Sequence, residues 1–575
     1  MYQSLANFYD SVKMREADAI PDIGWKNVGL SYVIVIDTSG TVKSLKDIRM
    51  ESEKKKVSIK HCMPLTQDKA GDACYPDFLY GRAEYMVGHA EGSKDQKKAV
   101  EKYKSMKELH TKLIKGLEDD FSNAIVMYFK NHEAGDISHM DGIEECVKAS
   151  AVIGFMLEET GEIACYENKT LREAWNAYDE SVVAKLKKGM CLVTGKKGPL
   201  ARMTPRVMGL PGGVASGCRM SGTNGKSAFE RFGRIKDENF PVSEEVVRKV
   251  ALAIDYLNEQ GDSTVLPGIN FRLFSWSEGG NSHMVQFFRE LLFMPKDCDE
   301  EQLIKKATQI VEDDENEIPF YLMALTGNAG RGAVSFIHKN SYTEYIRNIL
   351  DHYKRTEIER SFETDKRLSP YMILIHIIPN GKDSGMYNVC FNELFDSILY
   401  NKQYPEKLIQ EALRRTSIEG DNYYRTGLFH GYLSKQERYR MDDLKKSYAY
   451  RLGACFSVME EIQEKAVENI NCTIKDKYFS LAMKSPQGVF PRLNQLTEYH
   501  LKKLRKMGEK KTQYLYLQRL YTENVAALDG ETPPARFETN EQCEFCLGYH
   551  DRQNIRYHKK QTTIIIREKK NDERN

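Results

Sequence analysis

The sequence predicts an α+β protein in which a large mixed domain, residues 1–365, precedes a helical region, residues 366–575. The chain of 575 residues is long enough for two or more domains. Strand-like and helix-like patterns alternate in the first part, and from about Leu368 onward the pattern is helical. A composition of 41% hydrophobic and 29% charged residues is typical of globular proteins and argues against extensive disorder.

The first elements follow from short patterns. The opening MYQSLANFYDSVK is predicted to form an amphipathic helix, and LSYVIVID, residues 30–37, a strand because β-branched and aromatic residues dominate it. Asp37-Thr38-Ser39-Gly40 is then a hairpin turn, since no second copy supplies the paired carboxylate of an aspartic protease. A charged helix is expected from about Asp95 to Gly116.

Apolar residues at alternating steps of three and four predict a bundle over residues 441–575. The three stripes are Tyr448, Leu452, Cys455, Met459, Ile462 and Ala466; Val489, Leu493, Leu496, His500 and Leu504; and Tyr514, Leu517, Tyr521, Val525 and Leu528. A fourth helix is expected to open at Thr539, with Gln542 completing a capping box. The stripes are core, so a function must lie on the opposite faces of these helices.

The segment from Gly195 to Lys236 is the most unusual, because it holds nine Lys or Arg and nine glycines against one acid, Glu230. Glycines let backbone amides approach a phosphate chain closely, and cations neutralise it. The predicted phosphate-binding residues are Lys196, Lys197, Arg202, Arg206, Arg219, Lys226, Arg231 and Arg234. The alternative is a flexible basic loop without a ligand.

A second basic group lies on the helix of the second stripe and comprises Lys502, Lys503, Arg505 and Lys506. With Tyr499 and Tyr514 nearby, such a face suits a single nucleic-acid strand. A plain solvated helix is equally consistent with the pattern. Since the formal net charge is only +1, any nucleic-acid surface must come from local segregation of charge.

Enzymatic sites are not apparent, and we expect no catalytic residue, metal or cofactor. Gly222 to Ser227 resembles the end of a P-loop, but the residue five before Gly225 is Met220 rather than glycine. A zinc site could use Cys543, Cys546, His550 and His558. The Cys pair lies within a helical pattern, which favours packed thiols. A metal-dependent nuclease or an NTPase acting on nucleic acid remains the alternative function.

The chain is expected to be cytoplasmic. Its longest apolar runs are too short to cross a membrane, and its start lacks the basic-then-apolar order of a secretory signal. Its twelve cysteines are scattered and should stay reduced in that compartment.

Several blocks, in order along nearly the whole chain, resemble one family. They are Phe78–Gly81 through Tyr85–Gly88; Leu192–Gly195 followed by Pro199, Ala201 and Arg202; Ser227–Phe229 through Phe232 and Gly233, then Asn239–Ser243; Asn328, Ala329 and Arg331; Ala449–Gly453 leading into Met459–Gln463; Ile474–Phe479; and Phe545 with Leu547–Tyr549. This order resembles the large subunit of type I-C Cascade, the Csd family of CRISPR-associated proteins.

The resemblance implies a non-catalytic subunit that binds guide RNA and target double-stranded DNA. It implies recognition of the protospacer-adjacent motif, R-loop formation with a displaced single strand, and recruitment of a helicase–nuclease in antiviral defence. Its other partners would be the backbone, handle-binding and small subunits of Cascade. Residues 441–575 would then resemble a Cascade small subunit, and an internal start at Met441 or Met459 could release that region.

In that setting Asn224 and Lys226 are expected near base edges, and Arg331 joins the nucleic-acid-binding residues. Lys502, Lys503 and Arg505 would hold the separated strand. A scaffold that never touches DNA, with a basic surface serving only RNA, is a further alternative.

Overall fold

The computed structural model describes residues 1–52, 55–66, 74–91, 93–204, 206–221, 239–265, 270–295, 297–313, 317–360, 365–378, 384–436, 441–468 and 470–572. The chain divides into two compact units. The first unit comprises Met1–Thr264, Phe271–Gly280 and Met323–Ile337, and the second comprises Val265–Asn270, Asn281–Leu322 and His338–Asn575. The predicted boundary between residues 365 and 366 stays a prediction.

The strands of the described residues all precede Tyr342. They are β1 Trp25–Leu30, β2 Tyr32–Ile36, β3 Val42–Asp47, β4 Met50–Ser52, β5 Lys55–Val57, β6 Ile59–Pro64, β7 Ile153–Leu157, β8 Lys188–Met190, β9 Lys197–Pro199, β10 Arg206–Val207, β11 Cys218–Arg219, β12 Ser263–Val265, β13 Arg272–Ser277, β14 Pro319–Asn328 and β15 Arg331–Ser341.

The α-helices are spread over the whole described chain and dominate its last part. They are α1 Tyr2–Arg15, α2 Ala83–Met86, α3 Ser93–Ile114, α4 Asp120–Asn131, α5 Ile143–Lys148, α6 Lys169–Val183, α7 Glu244–Glu259, α8 Ser282–Phe293, α9 Glu300–Glu312, α10 Tyr342–Arg355, α11 Pro370–Ile377, α12 Ser384–Leu399, α13 Glu406–Glu419, α14 Tyr423–Ser434, α15 Met441–Leu444, α16 Tyr448–Ala466, α17 Ile474–Lys484, α18 Phe490–Lys506, α19 Lys511–Ala526 and α20 Thr539–Asp572. Within the described ranges, no helix has the length and apolarity that crossing a membrane requires.

Two main sheets contain nine of the strands. One has three strands in the order β3–β2–β7, in which β2 lies between an antiparallel and a parallel neighbour and is buried at every residue. The other has six strands in the order β10–β11–β15–β14–β13–β12. Helix α1 packs on α7, where the Phe8 ring lies 6.1 Å from that of Tyr256 and 6.5 Å from that of Trp276.

The second unit contains a close crossing of α16 and α20. A Cβ added at Gly453 would lie 2.0 Å from the carbonyl oxygen of Phe545, and one added at Gly548 would lie 1.9 Å from that of Tyr450. No side chain fits at either position, so the two glycines allow the helix backbones to touch. This contact fixes the centre of the helical region.

Most sequence predictions of structure are confirmed. The protein is mixed α+β with its sheets in the first part and a mainly helical last part. The opening helix, the strand before Asp37 and the charged helix form as α1, β2 and α3. The bundle helices form as α16, α18, α19 and α20.

Two details of these predictions are wrong. On α19 the stripe ends early, because Val525 is 40% exposed and Leu528 follows the helix. The capping box at α20 does not use Gln542 as expected. The Glu541 carboxylate accepts the backbone N–H of Glu538 at 2.7 Å, and the Gln542 amide donates to the carbonyl of Phe537. The helix starts at Thr539 and its cap is Glu538, one residue before the expected cap, so the acid Glu541 and not the amide Gln542 occupies the third helical position.

Candidate nucleic-acid interface

A short antiparallel hairpin of the first unit carries a cluster of lysines. Strands β8 and β9 pair with Lys188 opposite Pro199 and Met190 opposite Lys197. We call residues 185–200 the lysine hairpin; its five lysines are Lys185, Lys187, Lys188, Lys196 and Lys197, and all are exposed. In the described part of the chain, no ion pair involves Lys188, Lys196 or Lys197. These amines therefore present uncompensated charge to solvent.

The turn of the lysine hairpin is anchored at the start of α7. The backbone N–H of Leu192 donates to the carbonyl of Pro241 at 2.9 Å, and the N–H of Ser243 donates to the Cys191 sulfur at 3.3 Å. Burial alone would raise the pKa of Cys191, but the N–H of Ser243 and the contacts from Thr194 lower it to about 7. The hairpin is thus held through buried Cys191 at the start of its turn, while its lysines stay at the surface.

A cleft of about 530 Å³ lies between the lysine hairpin and helices α1 and α7. Its lining includes Lys196 just before β9 and Lys197 on β9, Asn7 and Asp10 on α1, and the first turn of α7. All of these elements belong to the first unit. The cleft therefore adjoins two of the predicted phosphate-binding residues.

Three of the predicted arginines lie in one row across the six-stranded sheet. Arg206 on β10 pairs with Arg219 on antiparallel β11, and Arg219 pairs with Arg331 on parallel β15. Directly opposed residues lie on the same face of a sheet, and neighbouring strands are about 4.8 Å apart. The three Cα atoms therefore span about 10 Å along one sheet face.

The row depends on a tight contact between two chain segments. Strands β14 and β15 are joined by Ala329 and Gly330, with Ala329 in the left-handed region at φ 49°. A Cβ added at Gly327 would lie 2.5 Å from the backbone nitrogen of Gly213, so only glycine fits there. The N–H of Arg219 then donates to the carbonyl of Gly330 at 3.0 Å, which sets Arg219 beside Arg331.

The partners of the arginine side chains of β10 and β11 include neutral oxygen atoms. Nη1 of Arg206 donates to the hydroxyl of Ser216 at 3.3 Å and to the carbonyl of Gly217 at 3.1 Å. Nη1 of Arg219 donates to the carbonyl of Thr204 at 3.2 Å. Arg331 is exposed, and in the described residues no acidic group pairs with it. The row thus combines two oriented guanidinium groups with one at the open surface.

The remaining residues of the glycine-rich segment are only partly placed. Arg202 is exposed on the first unit. Asn224, Lys226, Arg231 and Arg234 lie outside the described residues, as does the P-loop-like stretch from Gly222 to Ser227.

The second basic group lies on α18 of the second unit. The helix buries Leu493, Thr497, Leu501 and Leu504, and Lys502 and Lys506 lie on its exposed side, one turn apart. Tyr499, one turn before Lys502, is 64% exposed. Arg505 is exposed as well, whereas Lys503 is half-buried and its charge lowers the pKa of nearby Glu468, after the larger effect of Lys510. Of the four predicted cations, Lys503 is therefore the least available to a ligand.

Sequence reasoning missed part of the lysine hairpin. Lys185, Lys187 and Lys188 precede Gly195, the predicted start of the glycine-rich segment. Their proximity to Lys196 and Lys197 comes from strand pairing across a turn. A Lys-x-Lys-Lys-Gly run followed within ten residues by Gly-Lys-Lys-Gly was the pattern that could have indicated a hairpin with cations on both strands.

The thiols considered for zinc are packed inside the second unit. Cys543 and Cys546 are buried on α20, and the Cys546 thiol contacts the Met483 sulfur at 3.4 Å. Nδ1 of His550 lies 2.8 Å from a carboxylate oxygen of Asp421. Within the described ranges, no group of three His, Cys, Asp or Glu side chains could hold a metal ion.

Comparison with known proteins gives one match over most of the chain. The family described as CRISPR-associated protein (Cas_Csd1) matches residues 5–557. No curated protein matches the chain. The matched range contains the lysine hairpin, the arginine row and α18. The chain therefore belongs to the Cas_Csd1 family of CRISPR-associated proteins, the family of the type I-C Cascade large subunit.

Proposed function

We propose that this protein is a non-catalytic subunit of type I-C Cascade that binds guide RNA and target DNA in the cytoplasm. In this proposal it recognises the protospacer-adjacent motif, promotes R-loop formation and recruits the helicase–nuclease. Family members are generally non-catalytic Cascade subunits. The observation that carries the nucleic-acid role is the in-register row of Arg206, Arg219 and Arg331.

The arginine row has the chemistry of a phosphate-backbone site. A guanidinium group matches phosphate oxygens with two parallel N–H donors and stays charged at every physiological pH. Three such groups spaced over about 10 Å can contact more than one phosphate of a strand. Contacts of this type position a duplex without reading its sequence.

The lysine hairpin complements the row with point charges. Lys196 and Lys197 would neutralise phosphates and release counterions, which makes binding depend on salt but not on sequence. Sequence reading is proposed for Asn224 and Lys226, as contacts to base edges within the motif. The rest of the target would be read by base pairing with the guide RNA, the division of labour between protein and RNA that other RNA-guided effectors use.

The exposed side of α18 is proposed to hold the displaced single strand. Lys502 and Lys506 supply charge, and Tyr499 supplies an aromatic face on which a base can stack. Backbone, handle-binding and small subunits of Cascade would complete the assembly.

We infer that Met441, rather than Met459, is the internal start if residues 441–575 are also made as a separate small subunit. Met459 is buried in the middle of α16. A product that begins there would lack Gly453 and with it the contact that joins α16 to α20. A ribosome-initiation map with a peak at Met459 and none at Met441 would contradict this inference.

The proposed function is tested by assembling the complex with guide RNA, with and without this subunit. Duplex targets should differ only in the bases that flank the guide-matched site, at one fixed salt concentration. We expect flank-dependent binding only when the chain is present. Binding that ignores the flank, or that persists without the chain, would make this protein a scaffold or a recruiter.

Two variants separate motif reading from backbone binding. Asn224→Ala should change which flanking bases are preferred, and an equal loss for all flanks would remove the base-reading role. Arg331→Gln should weaken binding to all flanks about equally. Arg519→Gln is the matched control, because Arg519 is 82% exposed but already paired with Glu523 on α19.

A further inference from the structure

We propose that the cleft between α1, α7 and the lysine hairpin binds a single unstacked nucleotide of a nucleic-acid strand. This inference rests on the proposed nucleic-acid function and adds a site that the arginine row does not supply. The cleft volume of about 530 Å³ lies in the range of about 300–1,000 Å³ that holds small organic ligands. A nucleotide belongs to that size class, whereas a duplex does not enter such a space.

The charges around the cleft leave two cations for a phosphate. Lys249 pairs with Asp10 at 2.9 Å and with Glu245 at 2.8 Å. The third acid of the lining, Glu244, pairs with Arg248 at 2.8 Å. Each carboxylate of the lining therefore contacts a cation within the fold, with Lys249 serving two acids and Arg248 shared with Asp179. Lys196 and Lys197 enter no ion pair in the described residues, so they can receive the phosphate.

The opposite wall offers hydrogen-bonding groups for a base. Gln3, Asn7 and Asp10 lie on one face of α1 and line the cleft. Nε2 of Gln3 donates to Oδ1 of Asn7 at 2.7 Å. Among the described residues, Oε1 of Gln3 and Nδ2 of Asn7 have no hydrogen-bond partner, which leaves an acceptor and a donor. Such a pair complements a base edge with adjacent donor and acceptor, as in adenine.

The arrangement favours a nucleotide over a peptide. A groove for an amphipathic helix or a Pro-rich peptide is lined mainly by apolar or aromatic side chains that anchor the partner. Here Ala6, Val183, Pro199 and Val246 contribute the apolar part, and most other lining side chains are polar or charged. The cleft also opens beside the lysine hairpin, which would carry the rest of the strand.

The test uses the full chain and short single-stranded oligonucleotides of one sequence, made as RNA and as DNA. Each carries 2-aminopurine at one position, and the position is moved along the strand. The fluorescence of 2-aminopurine rises when the base leaves its stack. We expect the rise at one position on binding, and the RNA and DNA series show which strand type supplies the nucleotide.

Gly198→Phe is the informative variant. Gly198 lines the cleft, and an added Cβ would meet no atom within 4 Å, so a large side chain can be introduced at the cleft without a clash at its first atom. Gly279→Phe is the matched control, because Gly279 is also open, has an ordinary φ and does not line the cleft. The fluorescence rise should disappear in Gly198→Phe and persist in Gly279→Phe.

A second variant does not depend on tolerating a large side chain. Gln3→Ala with Asn7→Ala removes the two base-edge groups from α1, and the rise should fall while affinity drops about tenfold. A rise that survives both changes overturns the nucleotide site. The nucleotide site is also overturned if either variant binds oligonucleotides normally but no longer assembles with the other Cascade subunits. That result would make the cleft a protein-docking groove.

The experiments give different results when the proposed function fails and when only the nucleotide site fails. If the unaltered chain binds neither oligonucleotide series, and the complex shows no need of the chain for duplex binding, the nucleic-acid role itself is wrong. If oligonucleotides bind but no position shows the rise, only the single-nucleotide site is wrong.

Discussion

The α16–α20 region and the lysine hairpin use charge in opposite ways. Beside the helix crossing, charged groups are mostly buried and paired: the Asp421 carboxylate lies 2.8 Å from His550, and Glu461 lies 3.3 Å from Arg552. On the lysine hairpin, Lys196 and Lys197 are exposed and form no ion pair in the described residues. The net charge of +1 hides this difference, since it sums paired charges that hold the fold and unpaired ones that face solvent.

This difference indicates which charged residues stabilise the fold and which are available to bind a ligand. A buried charge without its partner keeps its full desolvation cost, so removing one member of a buried pair destabilises the fold. An exposed lysine loses little on truncation, but its field acts on a phosphate chain. Substitutions in the two regions should therefore have effects that do not overlap.

The largest expected effect is that of Asp421→Asn. The substitution leaves buried His550 without its carboxylate and should lower the free energy of unfolding of the second unit by about 3–5 kcal/mol. Asp529→Asn is the matched control, because Asp529 pairs with Arg451 while 74% exposed. Its φ of 51° also suits asparagine. Urea unfolding followed by circular dichroism measures both, and equal losses would erase the distinction between paired core charges and surface charges.

The same pair should make the second unit sensitive to pH. Burial alone would lower the pKa of His550, but the Asp421 carboxylate raises it above 6.5. Burial alone would raise the pKa of Asp421, but His550 holds it below 3.8. The stabilisation from His550 is complete below pH 6.5 and is lost as pH rises through its raised pKa. The stabilisation from Asp421 is complete above pH 3.8 and is lost as pH falls through its lowered pKa.

The unfolding midpoint in urea should therefore decline as the pH rises from about 6.5 into the alkaline range. The Asp421→Asn variant should lack this part of the pH dependence. A decline of the same size in the variant would show that the pair is not its source.

Gly453→Ala should cost less, about 1–3 kcal/mol, because the added methyl group forces the α16 and α20 backbones apart. Gly488→Ala is the control, since an added Cβ there meets no atom within 4 Å. The unfolding midpoint is again the measurement. If Gly453→Ala leaves the unfolding midpoint unchanged, the helix contact is looser than the distance of 2.0 Å between an added Cβ and the Phe545 carbonyl oxygen implies.

How much of this could be predicted from the sequence depends on the range of the interaction. Helical stripes such as Leu452, Cys455 and Met459 are local, so periodicity located them correctly. The prediction of the α20 cap was wrong because two acids, Glu538 and Glu541, compete with Thr539 and Gln542 for the same turn. Local propensity does not rank such neighbours.

The candidate interface depends on contacts between residues that are far apart in the sequence. Arg219 and Arg331 are far apart in the sequence, and their registry follows from the approach of Gly213 to Gly327, which no periodicity encodes. Lys188 joined the site only through pairing of β8 with β9. Charge density thus indicated the segment, while strand pairing decided which cations share a surface.

A smaller effect, on binding alone, is expected for Lys196→Ala with Lys197→Ala. Affinity should fall about tenfold for every sequence at moderate salt, and the slope of log K against log salt should become shallower by about 1.4–1.8. Stability should change by less than about 0.5 kcal/mol. Lys43→Ala with Lys169→Ala is the control, since those lysines already pair with Asp37 and Glu173. A sequence-dependent loss would instead assign the hairpin to base reading.

The smallest effect is expected on α18, where it separates a binding face from a helix that is merely solvated. Lys502→Ala with Lys506→Ala should make the salt dependence of single-strand binding shallower by about 1.4, at about 0.7 for each phosphate contact. Lys503→Ala should change it by less than the value of about 0.7 for one phosphate contact, because the Lys503 amine lies near Glu468 and is already partly compensated.

Salt titrations with a single-stranded DNA oligonucleotide distinguish the cases. Equal slopes for all three proteins would mean that these cations serve the C-terminal end of the helix dipole rather than a ligand. A larger change for Lys503→Ala than for the Lys502 and Lys506 variant would place the strand on the side of α18 that faces Glu468. Because Lys503 and Lys506 both lie in the last turn of α18, the helix dipole alone predicts similar effects for the two, whereas a ligand predicts a larger effect for the lysine on its own side.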